Sequence, residues 1–295
     1  MRKGLPSYEE VVRAALEVFE QYDTALTLRQ LYYRLVSRHL FANTINSYKR
    51  LSRIMVKARE EGDAPLNCLE DRSRRILGRG DTGYTSAQEF LKKRIASLRE
   101  SYKDFRMPMW DDQPYHLLIS LEKDALSRLV SDEANKYYIR TFPTRGYPSF
   151  SYVRRMASYI KNRLRGRPTV VLYFGDFDPS GVDIERDLSE RLQKYGAGEF
   201  KVRRIALTRD QIVQYSLPPM PVKKSDARAP SFVANYGEET VELDALDPNM
   251  LKLLVHTSIM EHINRMAWQK KENEIERLQV WIKKRLVDIE GLTEA

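Results

Sequence analysis

Cysteine occurs once in the 295 residues, at Cys68, so an intrachain disulfide and a cysteine-built zinc site are both excluded. Histidine is almost as scarce. His39, His116, His256 and His262 lie far apart in the chain, which argues against a His-rich metal site or a Ser-His-Asp triad. Any metal must then be held mainly by oxygen, which favours Mg²⁺ or Mn²⁺. No apolar run approaches the roughly 20 residues of a membrane span, and residues 1–6 lack the apolar stretch of a secretory signal. The expectation is a cytoplasmic protein with no membrane partner. No Gly-x-x-x-x-Gly-Lys-Ser/Thr loop occurs, so ATP hydrolysis is not expected.

Basic charge, by contrast, is plentiful and unevenly placed. The chain carries 50 Lys and Arg against 41 Asp and Glu, a net charge of +9. Residues 1–106 hold 21 basic and 14 acidic side chains, and residues 107–295 hold 29 and 27. No carboxylate falls between Asp23 and Glu60, whereas Arg29, Arg34, Arg38, Lys49, Arg50, Arg53, Lys57 and Arg59 all do. A one-sign segment of this kind is either a solvated face or a phosphate-binding surface.

The length fits about two domains. Up to residue 106 the periods are helical. Ser7 and Glu10 form a capping box ahead of Val11, Val12, Ala15, Leu16 and Phe19, and Thr27 caps a second helix expected to reach residue 40. A third helix is expected over 46–61, followed by an Arg-rich stretch, 67–83, with Arg72, Arg74, Arg75 and Arg79. Three helices and a basic hairpin outline a winged helix-turn-helix, in which the third helix enters the major groove, although other small domains share that outline. From residue 115 strands expected at 116–121, 137–142, 169–174 and 200–207 alternate with helices near 123–133, 150–163 and 181–194. Such alternation implies an α/β domain with a mostly parallel sheet. The domain boundary is expected near residues 107–114, giving domains 1–106 and 107–295. One or two amphipathic helices close the chain.

Chemistry in such a sheet gathers at the carboxyl ends of the strands. Glu122 ends the first strand in LEKDA, and Asp176 and Asp178 end the third in GDFDPSG. Two acids separated by one residue on extended chain point the same way, so Asp176 and Asp178 could share a metal with Glu122. The competing explanation is a capped turn opening the next helix. The EF-hand spacing that Asp176, Asp178, Ser180 and Asp187 partly satisfy is rejected, because TVVLYF before it is a strand pattern and not a helix. Asp183, Asp187, Glu242 and Asp244 are possible extra ligands, but local helix capping and surface charge explain them more cheaply. In the second helix Leu28, Leu31, Tyr32 and Leu35 form an apolar stripe, which turns Tyr32 inward and leaves Tyr33 on the polar face it shares with Arg29.

Taken together, RQLYYRL at 29–35, LEKDA, FPTRGYP at 142–148 and GDFDPSG stand in the order found in the DNA topoisomerase VI A subunit and its meiotic double-strand-break relatives, and the chain resembles that family from about residue 27 to 187. The resemblance implies an N-terminal winged-helix domain followed by a Toprim domain with C-terminal helices. It implies a homodimer that cuts double-stranded DNA, with Tyr33 as nucleophile and a 5′-phosphotyrosyl intermediate. Glu122, Asp176 and Asp178 would hold the metal, Glu122 would also move protons, Arg29 would clamp the scissile phosphate, and Lys123 would contact a neighbouring one. Lys49, Arg50, Arg53, Lys57, Arg72 and Arg74 would bind the backbone, and strand passage would require a separate ATPase subunit. Two alternatives are a Toprim nuclease in which water attacks, and a non-catalytic DNA-binding protein.

Overall fold

Three capped helices lead the chain. The Ser7 side chain accepts from the Glu10 amide while the Glu10 carboxylate accepts from the Ser7 amide at 2.7 Å, and α1 (Tyr8–Phe19) follows from this reciprocal box. The same arrangement between Thr27 and Gln30 starts α2 (Leu28–Ser37), which ends three residues earlier than expected, ahead of His39 with its positive φ of 57°. Thr44 caps α3 (Ile45–Glu61), and Gly62 ends it. Val11, Ala15 and Val18 of α1, Leu31 and Leu35 of α2, and Leu51, Met55 and Ala58 of α3 are fully buried. The apolar positions recur at helical spacing, so each helix has a stripe to bury. The structure, a computed structural model, describes residues 5–70, 83–163 and 167–293. Arg72, Arg74, Arg75 and Arg79 lie outside the described residues.

After α4 (Ala87–Glu100) the sheet begins. Strands β1 (His116–Leu121), β2 (Arg140–Pro143), β3 (Thr169–Phe174) and β4 (Phe200–Ala206) pair in the order β2-β1-β3-β4, all parallel. The α/β expectation with a parallel sheet therefore holds. β3 reads TVVLYF and is buried at every position, the mark of a strand covered on both faces. β2 starts later than expected, because Tyr137 and Tyr138 still turn out of α5 (Ser127–Asn135) and Tyr138 has a φ of 59°.

On one face, Leu118, Val171 and Tyr173 of the sheet pack against Val153 and Met156 of α6 (Phe150–Ser158) and Ile184, Leu188 and Leu192 of α7 (Pro179–Lys194). α8 (Arg209–Gln214), the short strand β5 (Met220–Pro221), α9 (Ala229–Tyr236), β6 (Glu239–Thr240) and α10 (Pro248–Met260) follow, with β5 and β6 paired antiparallel. α10 packs on α5 and on β4.

The chain divides into two compact units, differently from the expected division at 107–114. One unit joins residues 1–73 to 116–261, so the three leading helices and the sheet belong together. Its seam is polar: Arg34 of α2 reaches the Ala245 carbonyl and, at 3.2 Å, Asp247. A break in helical period marks a turn, and such a break says nothing about which pieces then pack. The second unit joins residues 74–115 to 262–295. In it α4 packs with α11 (Arg265–Thr293), Trp110 meets Trp268 edge-on at 5.7 Å, and Lys271 donates to the Pro108 carbonyl at 2.9 Å. No helix among the described residues is long and apolar enough to cross a membrane.

Candidate functional site

A strand order of 2-1-3-4 reverses between β1 and β3, and the crevice outside that switch point is where ligands bind in open parallel sheets. Both of the predicted acidic segments leave the sheet there. Leu121 and Phe174 are register partners, so the next residues on each strand meet: Glu122 Oε2 accepts from the Asp176 amide at 3.0 Å. Two glycines make this approach possible. A Cβ on Gly175 would stand 2.4 Å from the Tyr173 hydroxyl and 2.7 Å from Glu122 Oε2, and one on Gly181 would stand 2.2 Å from the Asp176 carbonyl oxygen. Arg204 of β4 braces the same loop, donating to the carbonyls of Asp176 at 3.1 Å and Gly181 at 2.8 Å.

A third segment, whose Glu242 and Asp244 the sequence offers as possible extra ligands, completes the cluster. Phe177 and Val241 exchange backbone hydrogen bonds of 2.9 and 3.0 Å, which folds the turn at Leu243–Ala245 over the strand ends. The Leu243 amide donates to Asp176 Oδ1 at 2.8 Å. Asp244 is buried and Glu242 partly so, which sets aside surface charge, the cheaper of the two explanations that the sequence offers. Lys123 lies among them, with its ammonium 3.0 Å from Asp176, 3.3 Å from Glu242 and 3.3 Å from Asp244. The expected phosphate contact of Lys123 is thus replaced by an internal one, because the strand end aims the side chain at three carboxylates.

Asp176 and Asp178 do not converge. Asp176 faces Lys123 and Leu243, whereas Asp178 caps α7 by accepting from the Gly181 amide at 2.7 Å, the capped turn that the sequence offered as the competing explanation. Among the described residues no group of three or more His, Cys, Asp or Glu is arranged to hold a metal ion. The donor chemistry nevertheless fits a hard divalent cation. Among the described residues, five carboxylates (Glu122, Asp176, Asp178, Glu242, Asp244) gather near three cations, Lys123, Arg29 and Arg204, and Asp244 Oδ1 is buried with no hydrogen-bond partner. Burial, then repulsion from Asp178, raises the Glu122 carboxyl above its ordinary range. Burial and the charges of Glu122 and Glu242 raise Asp176 against the pull of Lys123, and burial with Glu242 raises Asp244. Glu242 alone is held low, since Lys123 and Arg29 outweigh the effect of its burial. The cluster is short of positive charge.

α2 supplies the remaining parts. Arg29 forms a two-pronged pair with Glu242 through Nε and Nη2. Tyr33 is only 1% exposed, which corrects its expected place on an open polar face. Burial, followed by the charge of Glu242, pushes its phenol up, while Arg29 and Lys123 pull it the other way and Asp244 adds to the rise. Tyr33 therefore sits beside the acids, on a helix face that the 242–247 segment covers. Tyr32 is buried as expected, and its hydroxyl donates to the Thr44 carbonyl at 2.9 Å and accepts from the Thr44 amide at 2.8 Å.

Along α3, Lys49, Arg53 and Lys57 recur every four residues and are exposed, forming one basic face. Arg50 turns away and donates to the Pro6 carbonyl at 2.6 Å. A cleft of about 660 Å³ runs from α2 and α3 to the end of β1, lined by Arg29, Tyr48, Arg59, Lys123 and Asp244 among others. A second, of about 370 Å³, includes Asp178 and Glu242. Two openings thus reach the cluster. The architecture is that of an α/β protein with its acids at the topological switch point. No protein-family model matches the chain, and no curated protein matches it.

Proposed function

We propose that the chain is a divalent-cation-dependent enzyme that cleaves DNA by tyrosine transesterification, of the topoisomerase VI A-subunit type, with a winged-helix segment in residues 1–106 and a Toprim segment in the sheet. The observation that carries this reading is the meeting of Tyr33 and Arg29 of α2 with Glu242, Lys123 and Asp244 beside Glu122 and Asp176. Nucleophile, cation and anionic strand-end groups share one site.

In the proposed reaction the Tyr33 oxygen forms a bond to a backbone phosphorus, the bond to the 3′ oxygen breaks, and that oxygen leaves as a hydroxyl after gaining a proton. The phenol proton must go to a base, and Glu122, whose affinity for a proton burial raises, suits that role. A Mg²⁺ or Mn²⁺ ion held by Glu122 and Asp176 would supply charge for the crowded phosphorus transition state, and Asp178, whose Oδ1 caps α7, would have to turn toward them to join it. Arg29 can exchange Glu242 for a phosphate without changing its two-pronged geometry. The face of Lys49, Arg53 and Lys57 supplies salt-dependent affinity for double-stranded DNA. Homodimer formation and a separate ATPase partner belong to this proposal through the resemblance alone.

The burial of Tyr33 favours a second reading, in which water attacks and the tyrosine only holds α2 against the acids. In the first reading the 242–247 segment must lift off α2 before a strand can reach the phenol. Plasmid DNA with Mg²⁺ or Mn²⁺ separates the two. Tyr33→Phe abolishes cutting in the first reading and spares it in the second, whereas Asp176→Ala abolishes both. Cutting by neither variant nor parent would leave a DNA-binding protein without this chemistry.

A further inference from the structure

The larger cleft carries more than an approach to the acids. Its wall combines an aromatic ring, apolar side chains, the cations Arg29, Arg59 and Lys123, and the acids Glu70, Asp124 and Asp244, the last with one unsatisfied acceptor. The Arg29 guanidinium lies 5.3 Å from the centroid of Tyr48, whose ring stands edge-on to Tyr32 at 5.4 Å, so Tyr48 and Arg29 present a fixed, flat, cationic surface. Leu28, Met55, Val56 and Leu69 line it alongside. Arg59 also lines it, donating Nε to the Met55 carbonyl at 3.1 Å and pairing with no carboxylate among the described residues. Asp244, 2% exposed, lines the same cleft, gives Oδ2 to Lys123, and leaves Oδ1 buried without a donor. A buried acceptor left unpaired is costly, so a ligand that brings an N–H or O–H group gains by filling it.

The geometry points to a nucleotide as that ligand. A planar base matches the ring and guanidinium, its amino group or the sugar hydroxyl matches Asp244 Oδ1, and its phosphate matches Arg59. At about 660 Å³ the space falls within the range of roughly 300–1,000 Å³ usual for small-ligand sites. We propose that this cleft receives one unstacked nucleotide of the DNA strand, so that the enzyme acts on duplexes that are unpaired or readily opened next to the scissile bond. The inference rests on the reading of the chain as a DNA-cleaving enzyme, and it specifies the substrate of that site. The base leaves the stack, an extrusion that costs least where pairing is already lost.

The test uses the full chain in EDTA, so that cutting does not intervene, and fluorescence anisotropy with two labelled duplexes: one fully paired, one with a single unpaired adenosine. The unpaired duplex is expected to bind more tightly by about 5- to 150-fold, the worth of one base stacked on an aromatic ring. Tyr48→Leu should remove that preference, so that the two duplexes bind alike, while Tyr48→Phe, which keeps the ring, should retain it. Equal affinity of the parent for both duplexes, a readout needing no variant, overturns the inference, as does a preference that survives Tyr48→Leu. Deoxyadenosine monophosphate is titrated separately. If it competes at the cleft in a Tyr48-dependent way while the duplexes bind equally, a free nucleotide is the occupant and the strand version is wrong. Plasmid cutting is scored apart from these: cutting without a preference for the unpaired duplex rejects only the inference, and a Tyr48-dependent preference without cutting rejects only the cleavage reading.

Discussion

Helices α2 and α4 are of similar length and both are rich in Arg or Lys, yet they occupy opposite environments. α2 buries six of its ten residues, including Gln30 and both tyrosines, and its Arg29 and Arg34 are tied to acids 213 residues away. α4 buries none of its residues, and Phe90, Leu91, Ile95 and Leu98 stand exposed on it. Around α2 charge is interior and holds the strand ends together; along α4 apolar side chains are exterior. Composition alone therefore does not tell which charges are structural. What tells is whether a second segment returns to cover the polar face.

The sharpest way to break this contrast is to remove the central counter-ion. Lys123→Met leaves Asp176, Glu242 and Asp244 without their shared ammonium, and removing one partner of a buried charge network costs about 3–5 kcal/mol. Lys93→Met on α4 breaks an exposed pair with Glu89 and an exposed contact with the Tyr84 ring, and should cost about 0.5 kcal/mol or less. Urea denaturation of the two variants compares the regions directly.

A smaller effect follows from pH. Asp176 rises from 3.8 to about 7 in the folded chain, so the native state holds its proton over a range in which the unfolded chain has lost it. Its contribution to stability is fully present below about pH 4 and is lost as pH rises through about 7. Mg²⁺ should therefore raise the melting temperature more above pH 7 than near pH 4, and EDTA should remove the gain. Melting curves with the same Mg²⁺ response at both pH values would show that these acids are not where the cation binds. The smallest effect is expected on α4, where Leu91 and Leu98 are already about half exposed. Leu91→Gln with Leu98→Gln should change stability by no more than about 0.5 kcal/mol, read by the same urea curves.

What the sequence disclosed was local or nearly so. Ser7, Thr27 and Thr44 announce helix starts because a cap needs only three neighbouring residues. β1 and β3 are legible as short apolar runs, and once they are adjacent the meeting of Glu122 with Asp176 follows from their ends. Glu242 and Asp244 were legible as possible ligands but not as buried groups at the strand ends, because their burial depends on a backbone bridge from Val241 to Phe177 that no period or spacing encodes. Tyr33 was misjudged for the same reason. Helical periodicity assigns one face to water, and here Arg29, Tyr33 and Arg34 face a segment from the far end of the chain. Asp178 satisfied both of its readings at once in sequence terms, and the Gly181 amide settles its hydrogen bond in favour of the cap.

Tyrosine transesterification requires that Tyr33 become joined to DNA. The most direct measurement is to incubate the parent chain with plasmid and Mn²⁺, stop the reaction with detergent, digest the DNA and the protein, and look by mass spectrometry for a peptide carrying a nucleotide. A 5′-phosphonucleotide on the peptide containing Tyr33, absent when Asp176→Ala replaces the parent, is the predicted result. Cut DNA with free 5′ ends and an unmodified Tyr33 peptide would contradict it.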